Sequence, residues 1–126
     1  MNDCISNAQD ITKYIGIPYK RGESSSAGCD CWGLVRLFYH RELGINLPNY
    51  KDFAVIDRNL FRPIAEPALH SIALIAHDGA TISHCGLFTA AGLLHSLENT
   101  GVLLSRVELW KPKIVGCYEY TAFSSI

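Results

Sequence analysis

The strongest hydrophobic pattern in the chain lies between Asp30 and Gly44. Asp30 stands where a helix N-cap belongs and Gly44 where a left-handed stop belongs, so the spacing predicts a helix over 30–43. Gly33, Arg36 and His40 share one narrow strip of it, at i, i+3 and i+7. Trp32, Leu34, Val35, Leu37, Phe38 and Tyr39 fill the rest of its first turns. A helix with so thin a polar strip is buried on nearly every side, which makes it the central helix of the domain. Ahead of it, Ser6-Asn7-Ala8-Gln9 has capping-box spacing, and Ile11, Tyr14 and Ile15 recur at helical spacing. They predict a short helix over 7–15, ended by Gly16. Pro18, Gly22 and Ser24-Ser25-Ser26 make 16–28 an irregular loop.

After Gly44 the period changes. Pro48, Pro63 and Pro67 mark 45–69 as loop, with one short helix expected near 57–61. Ile72-Ala73-Leu74-Ile75-Ala76 is an apolar run ahead of Asp78-Gly79, a hairpin turn signal. Strands are expected over 83–88, 93–97, 102–107 and 114–120. Helices first and strands second predict an α+β domain, with an antiparallel sheet packed on the buried helix.

Composition narrows the function classes. The chain has 126 residues, 48% of them apolar and 18% charged, which fits one globular domain over 1–126. A formal net charge of -1 and the lack of a Lys/Arg block leave no footprint for nucleic acid. The start, Met1-Asn2-Asp3-Cys4, has no basic stretch followed by an apolar run, and no stretch is apolar enough to span a membrane. The expectation is synthesis in the cytosol without membrane insertion. Five cysteines without a secretory signal point to reduced thiols rather than a disulfide framework.

One of those thiols stands apart. Cys31 falls on the first turn of the central helix, right after its N-cap. Backbone N–H groups and the helix dipole there favour a thiolate, the nucleophilic form. The same N–H groups suit the oxyanion of a tetrahedral intermediate. In Ser83-His84-Cys85-Gly86-Leu87-Phe88, period-two alternation puts His84, Gly86 and Phe88 on one face and Cys85 and Leu87 on the other. The first face is expected to meet the helix start, with Cys85 pointing away. With 89–92 as an even hairpin loop, His95 pairs opposite Gly86 and diagonal to His84, where the missing glycine side chain leaves room for two imidazoles. Cys31, His84 and His95 together make a nucleophile, a base and an orienting group. His40 is expected to face solvent, and His70 and His77 to sit near loops. A metal site built from Cys29, Cys31, His84, Cys85, His95 and Cys117 is the other use of this residue set. Cys29-Asp30-Cys31 is one residue short of the usual zinc spacing, so neither metal nor cofactor is expected.

The run Tyr14-Ile15-Gly16-Ile17-Pro18-Tyr19-Lys20-Arg21-Gly22, then Gly28-Cys29-Asp30-Cys31-Trp32-Gly33-Leu34-Val35 and Leu43-Gly44-Ile45-Asn46-Leu47-Pro48, resembles the NlpC/P60 family of papain-like cysteine peptidases. Ser83-His84-Cys85-Gly86-Leu87 and Leu94-His95 resemble its His-x-Gly strand and the second histidine after a hairpin, so the likeness spans roughly residues 8 to 107. The resemblance implies a papain-like fold, with Cys31 as nucleophile, His84 as base and His95 as the residue orienting it. It further implies that Tyr19 lines the active site and that Asp30, with Trp32 beside the nucleophile, contributes to the substrate subsite. The implied substrate is the stem peptide of peptidoglycan, cut between γ-D-glutamate and a diamino acid. Trp32 replaces the serine of the common pattern. Asp30-Cys31-Trp32-Gly33-Leu34-Val35-Arg36 is similar to the tail-assembly branch of lambda-like phages, which implies tail proteins as partners and delivery by a virion to the periplasm or cell wall. A thiol amidase or acyltransferase on the same scaffold, and a non-catalytic tail assembly protein, are the alternatives. Alkylation of Cys31 at neutral pH far faster than of the other four cysteines would separate an enzyme from the last.

Overall fold

The two ends of the central helix close as their residue types dictate. In the computed structural model, which describes residues 10–49 and 59–122, helix α1 runs over Cys31–Leu43. The Asp30 carboxylate accepts from the backbone N–H of Gly33, and Gly44 closes the helix in the left-handed conformation. Its apolar positions are buried as the pattern requires, from Cys31 through Tyr39. Of the polar strip, His40 is exposed and bonds Asn46, while the Arg36 Nε donates to the Leu47 carbonyl. Gly33 has a different task. A Cβ there would lie 1.9 Å from the Glu23 carbonyl oxygen, so only glycine lets the preceding loop cross the helix start.

That loop is more regular than its composition suggests. Strands β1 (Ser24–Ser25) and β2 (Gly28–Cys29) form a small antiparallel ladder, and Tyr19 bridges to Cys29. The helix expected over 7–15 is a 3-10 turn at Ile11–Lys13, capped by the Asp10 carboxylate; Ser6 and the rest of the capping box lie outside the described residues.

Strands β3 (Phe61–Ile64), β4 (Ile72–Ile75), β5 (His84–Thr89), β6 (Gly92–Leu97), β7 (Gly101–Ser105) and β8 (Ile114–Tyr120) form one antiparallel sheet in the order β3-β8-β4-β5-β6-β7. The helix expected near 57–61 is corrected at its described end, since Phe61 opens β3; residues 57 and 58 lie outside the described residues. Pro63 is accommodated because β3 is an edge strand. The Asp78-Gly79 turn exists, with the Asp78 carboxylate accepting from Ala80 and Thr81, but it sits in a longer connection between β4 and β5. The expected 102–107 strand stops at Ser105, and the chain turns into a short helix, α2 (Val107–Trp110).

The fold is α+β, with helix α1 packed on the sheet. Tyr39, Phe38, Leu34 and Val35 join Ile72, Leu74, Cys85, Leu87 and Leu94 in one buried cluster. The other face carries Ala73, Ile75, Phe88 and Leu93, covered by Val107, Trp110 and Ile114. This corrects the expected sidedness of β5. Cys85 and Leu87 face α1, and Phe88 faces away. The strand is buried on both faces, so alternation alone gives no clue to which face meets the helix. Among the described residues no helix is long and apolar enough to cross a membrane.

Candidate active site

Cys31 opens α1 with its thiol at a cleft of about 410 Å³, which Tyr19, Arg21, His77, His84 and Glu98 also line. The N–H of Cys31 begins the helix and has no carbonyl inside it to bond, as at any helix start. Cys31 is 7% exposed, and its thiol sits against both Cys85 and His84. Hydrogen bonding from the Cys85 thiol, opposed by burial and joined by the hydrogen bond and charge of His84, holds the Cys31 pKa down at about 5. At neutral pH the sulfur is therefore a thiolate. Cys85 is the reverse case. Fully buried behind a neighbouring thiolate, its own pKa is pushed well above the ordinary thiol value. Cys29 is also raised, to about 11, mainly by burial.

His84 reaches Cys31 although its strand face points away from α1, because it is the first residue of β5 and stands at the sheet's end. The hairpin register supplies its partner. Leu87 pairs with Leu94, Phe88 with Leu93 and Thr89 with Gly92, which continues to Gly86 opposite His95. This is the even register expected from the loop length. Nε2 of His84 lies 2.8 Å from Nδ1 of His95, and Nε2 of His95 lies 2.7 Å from the Ser105 Oγ. His84 Nδ1 is left to face the thiol. If Nε2 of His84 carries a proton and donates it to His95, and a neutral His95 donates its own Nε2–H to Ser105, Nδ1 of His84 is left to hold the proton that Cys31 gives up. Burial, with the charges of His84 and His77, depresses the His95 pKa to about 4, so it is neutral at working pH.

Gly86 makes this contact possible. A Cβ there would stand 2.8 Å from Leu93 Cδ1 and 3.2 Å from His95 Cβ. Gly86→Ala should push His95 off His84, costing about 1–3 kcal/mol in stability and lowering turnover well beyond that loss. Urea melts and initial rates of the purified variant check it; wild-type turnover would show the space to be unneeded.

The other expected residues divide. Tyr19 lines the cleft, and burial followed by the charges of Cys31 and Asp30 raises its pKa. Asp30 has both carboxylate oxygens engaged: one caps α1, and the other accepts from the Gly22 N–H at 2.7 Å. It holds the loop that carries Arg21. Trp32, expected at the substrate subsite, is instead in the core: 2% exposed, edge-on to Phe61, with Nε1 donating to the Pro48 carbonyl. One residue along a helix turns the side chain by about 100°, which carries Trp32 from the cleft into the packed side. Three contributors carry no sequence signal of their own. Ser105 meets His95 diagonally across two strands, Cys85 touches the Cys31 thiol from another element, and Trp110 packs on His95 from α2.

Cys29, Cys31, Cys85 and Cys117 are free thiols; Cys4 lies outside the described residues. Among the described residues, no three His, Cys, Asp or Glu side chains converge as metal ligands do.

The sequence model of the NlpC/P60 family matches residues 16–119. The gamma-DL-glutamyl hydrolase of Bacillus subtilis strain 168 is 32% identical over 114 residues, covering 86% of this chain and 27% of the relative. The chain thus spans about a quarter of that relative's length. Among solved structures, the NlpC/p60 domain of the peptidoglycan hydrolase SagA superposes with a TM-score of 0.66 at 18% identity, covering 94% of this chain and 99% of that one. An NlpC/P60 family protein from Bacillus cereus gives 0.68 at 21% identity, covering 85% and 36%.

Proposed function

This chain belongs to the NlpC/P60 family, and from that premise we propose that it is a cysteine peptidase acting on peptidoglycan stem peptides at the bond between γ-D-glutamate and a diamino acid. The observation that carries this reading is the line from Cys31 through His84 to His95 and Ser105 at the start of a buried helix, open to a cleft. The glutamyl side of the bond is supported by the similarity to a gamma-DL-glutamyl hydrolase, and the cell-wall substrate by the likeness to a peptidoglycan hydrolase domain.

In this mechanism Cys31 is the nucleophile, His84 the general base and acid, and His95 the group that orients it. The Cys31 thiolate attacks the scissile carbonyl carbon, and the oxyanion forms at the N-terminus of α1, where the Cys31 N–H and the helix dipole stabilise it. The proton held by His84 passes to the departing amine as the C–N bond breaks. Water then gives a proton to His84 and attacks the thioester, which releases the acid and restores Cys31. Tyr19 and Asp30 border the substrate, Tyr19 directly and Asp30 through the Gly22 loop. The chain acts without a resident metal or cofactor in this scheme.

Digesting purified peptidoglycan with the protein and identifying the fragments by mass spectrometry tests the proposal. Free diamino-acid N-termini with matching γ-D-glutamyl C-termini are expected. A γ-linked glutamate oligomer run in parallel separates a stem-peptide enzyme from one that needs only the γ-glutamyl bond. Cleavage of neither substrate, with Cys31 still labelled by iodoacetamide, would point to a thiol amidase or acyltransferase. Slow, equal labelling of all five cysteines would favour the assembly protein.

The finer assignment is to the tail-associated branch. Asp30-Cys31-Trp32-Gly33-Leu34-Val35-Arg36 supports it through the resemblance to lambda-like tail-assembly proteins. The partners would be tail proteins, and the site of action the periplasm or wall reached by the virion. Mass spectrometry of purified virions from an induced host should find the chain; its absence from them overturns this assignment and leaves the chemistry standing.

A further inference from the structure

Trp110 ends the short helix α2, and its ring meets three imidazoles. The centroid of His95 lies 4.7 Å away, edge to face; His77 lies at 5.7 Å and His84 at 5.9 Å. His77 in turn stacks on His84 at 6.1 Å, with 26° between the planes. Together they wall in a hydrogen-bonded pair of which His95 is 0% exposed and His84 5%. Helix α2 has no buried residue and no side-chain N-cap, and Val107 and Trp110 are its packing contacts with the sheet.

We propose that Trp110 is a positioning residue: its indole holds the His84–His95 pair in one geometry and keeps water out of the hydrogen bond between them. The inference rests on the proposed roles of His84 and His95. Edge-to-face contact at 4.7 Å fixes the plane of the His95 ring, and that plane sets where Nδ1 points. Dry surroundings also keep His95 uncharged. The titratable groups acting on it are His84 from β5 and His77 from the turn after β4, and both oppose a second positive charge. Its neighbours on β7 are Leu103 and Ser105, neither of them charged. Around α2, Arg106, Glu108 and Lys111 are exposed.

The protonation state of His95 matters to the chemistry. A protonated His95 must direct an N–H at Nε2 of His84. His84 would then hold a proton on Nδ1 alone and be uncharged, so the Cys31 thiolate would lose an adjacent positive charge that helps keep its pKa low. Admitting water beside His95 lessens the penalty on its charged form, so the imidazole takes up a proton at a higher pH than before. Loss of Trp110 should therefore remove activity from the acid side.

The experiment pairs ring NMR titration of His95 with a pH–rate profile on a stem peptide, using the full chain. Trp110→Ala should move the His95 titration up by about one to two pH units, toward the ordinary histidine value. The acid limb of kcat should rise by about one unit, with kcat falling more than KM changes. Trp110→Phe, which keeps an aromatic edge, should recover most of both. If Trp110→Ala does not fold, Trp110→Leu keeps an apolar filler without the ring, and the same two readouts decide. An unmoved His95 titration with a rate lowered equally at every pH would reduce Trp110 to packing and overturn the inference. The titration needs no substrate, so a shifted His95 in a protein whose wild type cuts no stem peptide would overturn the functional reading alone.

Discussion

Cys31→Ala should release no fragment from peptidoglycan under conditions where the wild type digests it, a loss on the order of 10⁴–10⁶ in turnover. The sulfur forms the covalent intermediate, and no neighbour can replace it. Cys85 touches the same position but is fully buried, with its thiol pKa pushed far up, so it offers no thiolate to a substrate. Folding should survive. The substitution removes one atom from a residue that borders the cleft, and α1 keeps its Asp30 cap and Gly44 stop. A melting temperature within a few degrees of wild type, measured by circular dichroism, is the control. Substantial hydrolysis by the purified variant would sink the assignment of the nucleophile.

His84→Ala should cost nearly as much, because base and nucleophile act as one unit and neither is useful alone. It should also slow alkylation of Cys31 at neutral pH, since the hydrogen bond and charge of His84 help hold that thiol at about 5. His95 acts one step further out. It touches His84 at 2.8 Å and not the sulfur, so His95→Ala should be roughly a hundredfold milder than His84→Ala. His95→Asn should do better still, because an amide oxygen near the Nδ1 position can accept from His84 Nε2. Steady-state rates of the three variants on one stem-peptide substrate decide the order. Wild-type rates for His95→Ala beside a dead His84→Ala would mean that another group orients the base.

Much of the fold was legible in local pattern. Asp30, the unbroken apolar positions and Gly44 specify α1 almost to the residue, because caps and helical periodicity depend on near neighbours. The strand over 114–120 and the β5–β6 hairpin register followed from alternation and loop parity, and the register brings His84 and His95 together. Two short elements were not legible for the opposite reason. Helix α2 has no side-chain cap and no buried residue, so nothing local marks it. Strand β3 carries a proline and is held by its pairing to β8, far along the chain.

The sequence by itself determined that a cysteine would begin a buried helix, that two histidines would share one face of a hairpin, and that glycine would stand between them. Each follows from spacing within one element. Only the tertiary structure decided which face of β5 meets α1. Both faces of that strand are buried, and the choice depends on what α1 and α2 bring to each side. The same choice set Cys85 against Cys31 and placed Trp110 edge-on to His95. Those contacts join residues far apart in the chain, and periodicity carries no information about the partner on the other side of a packed face.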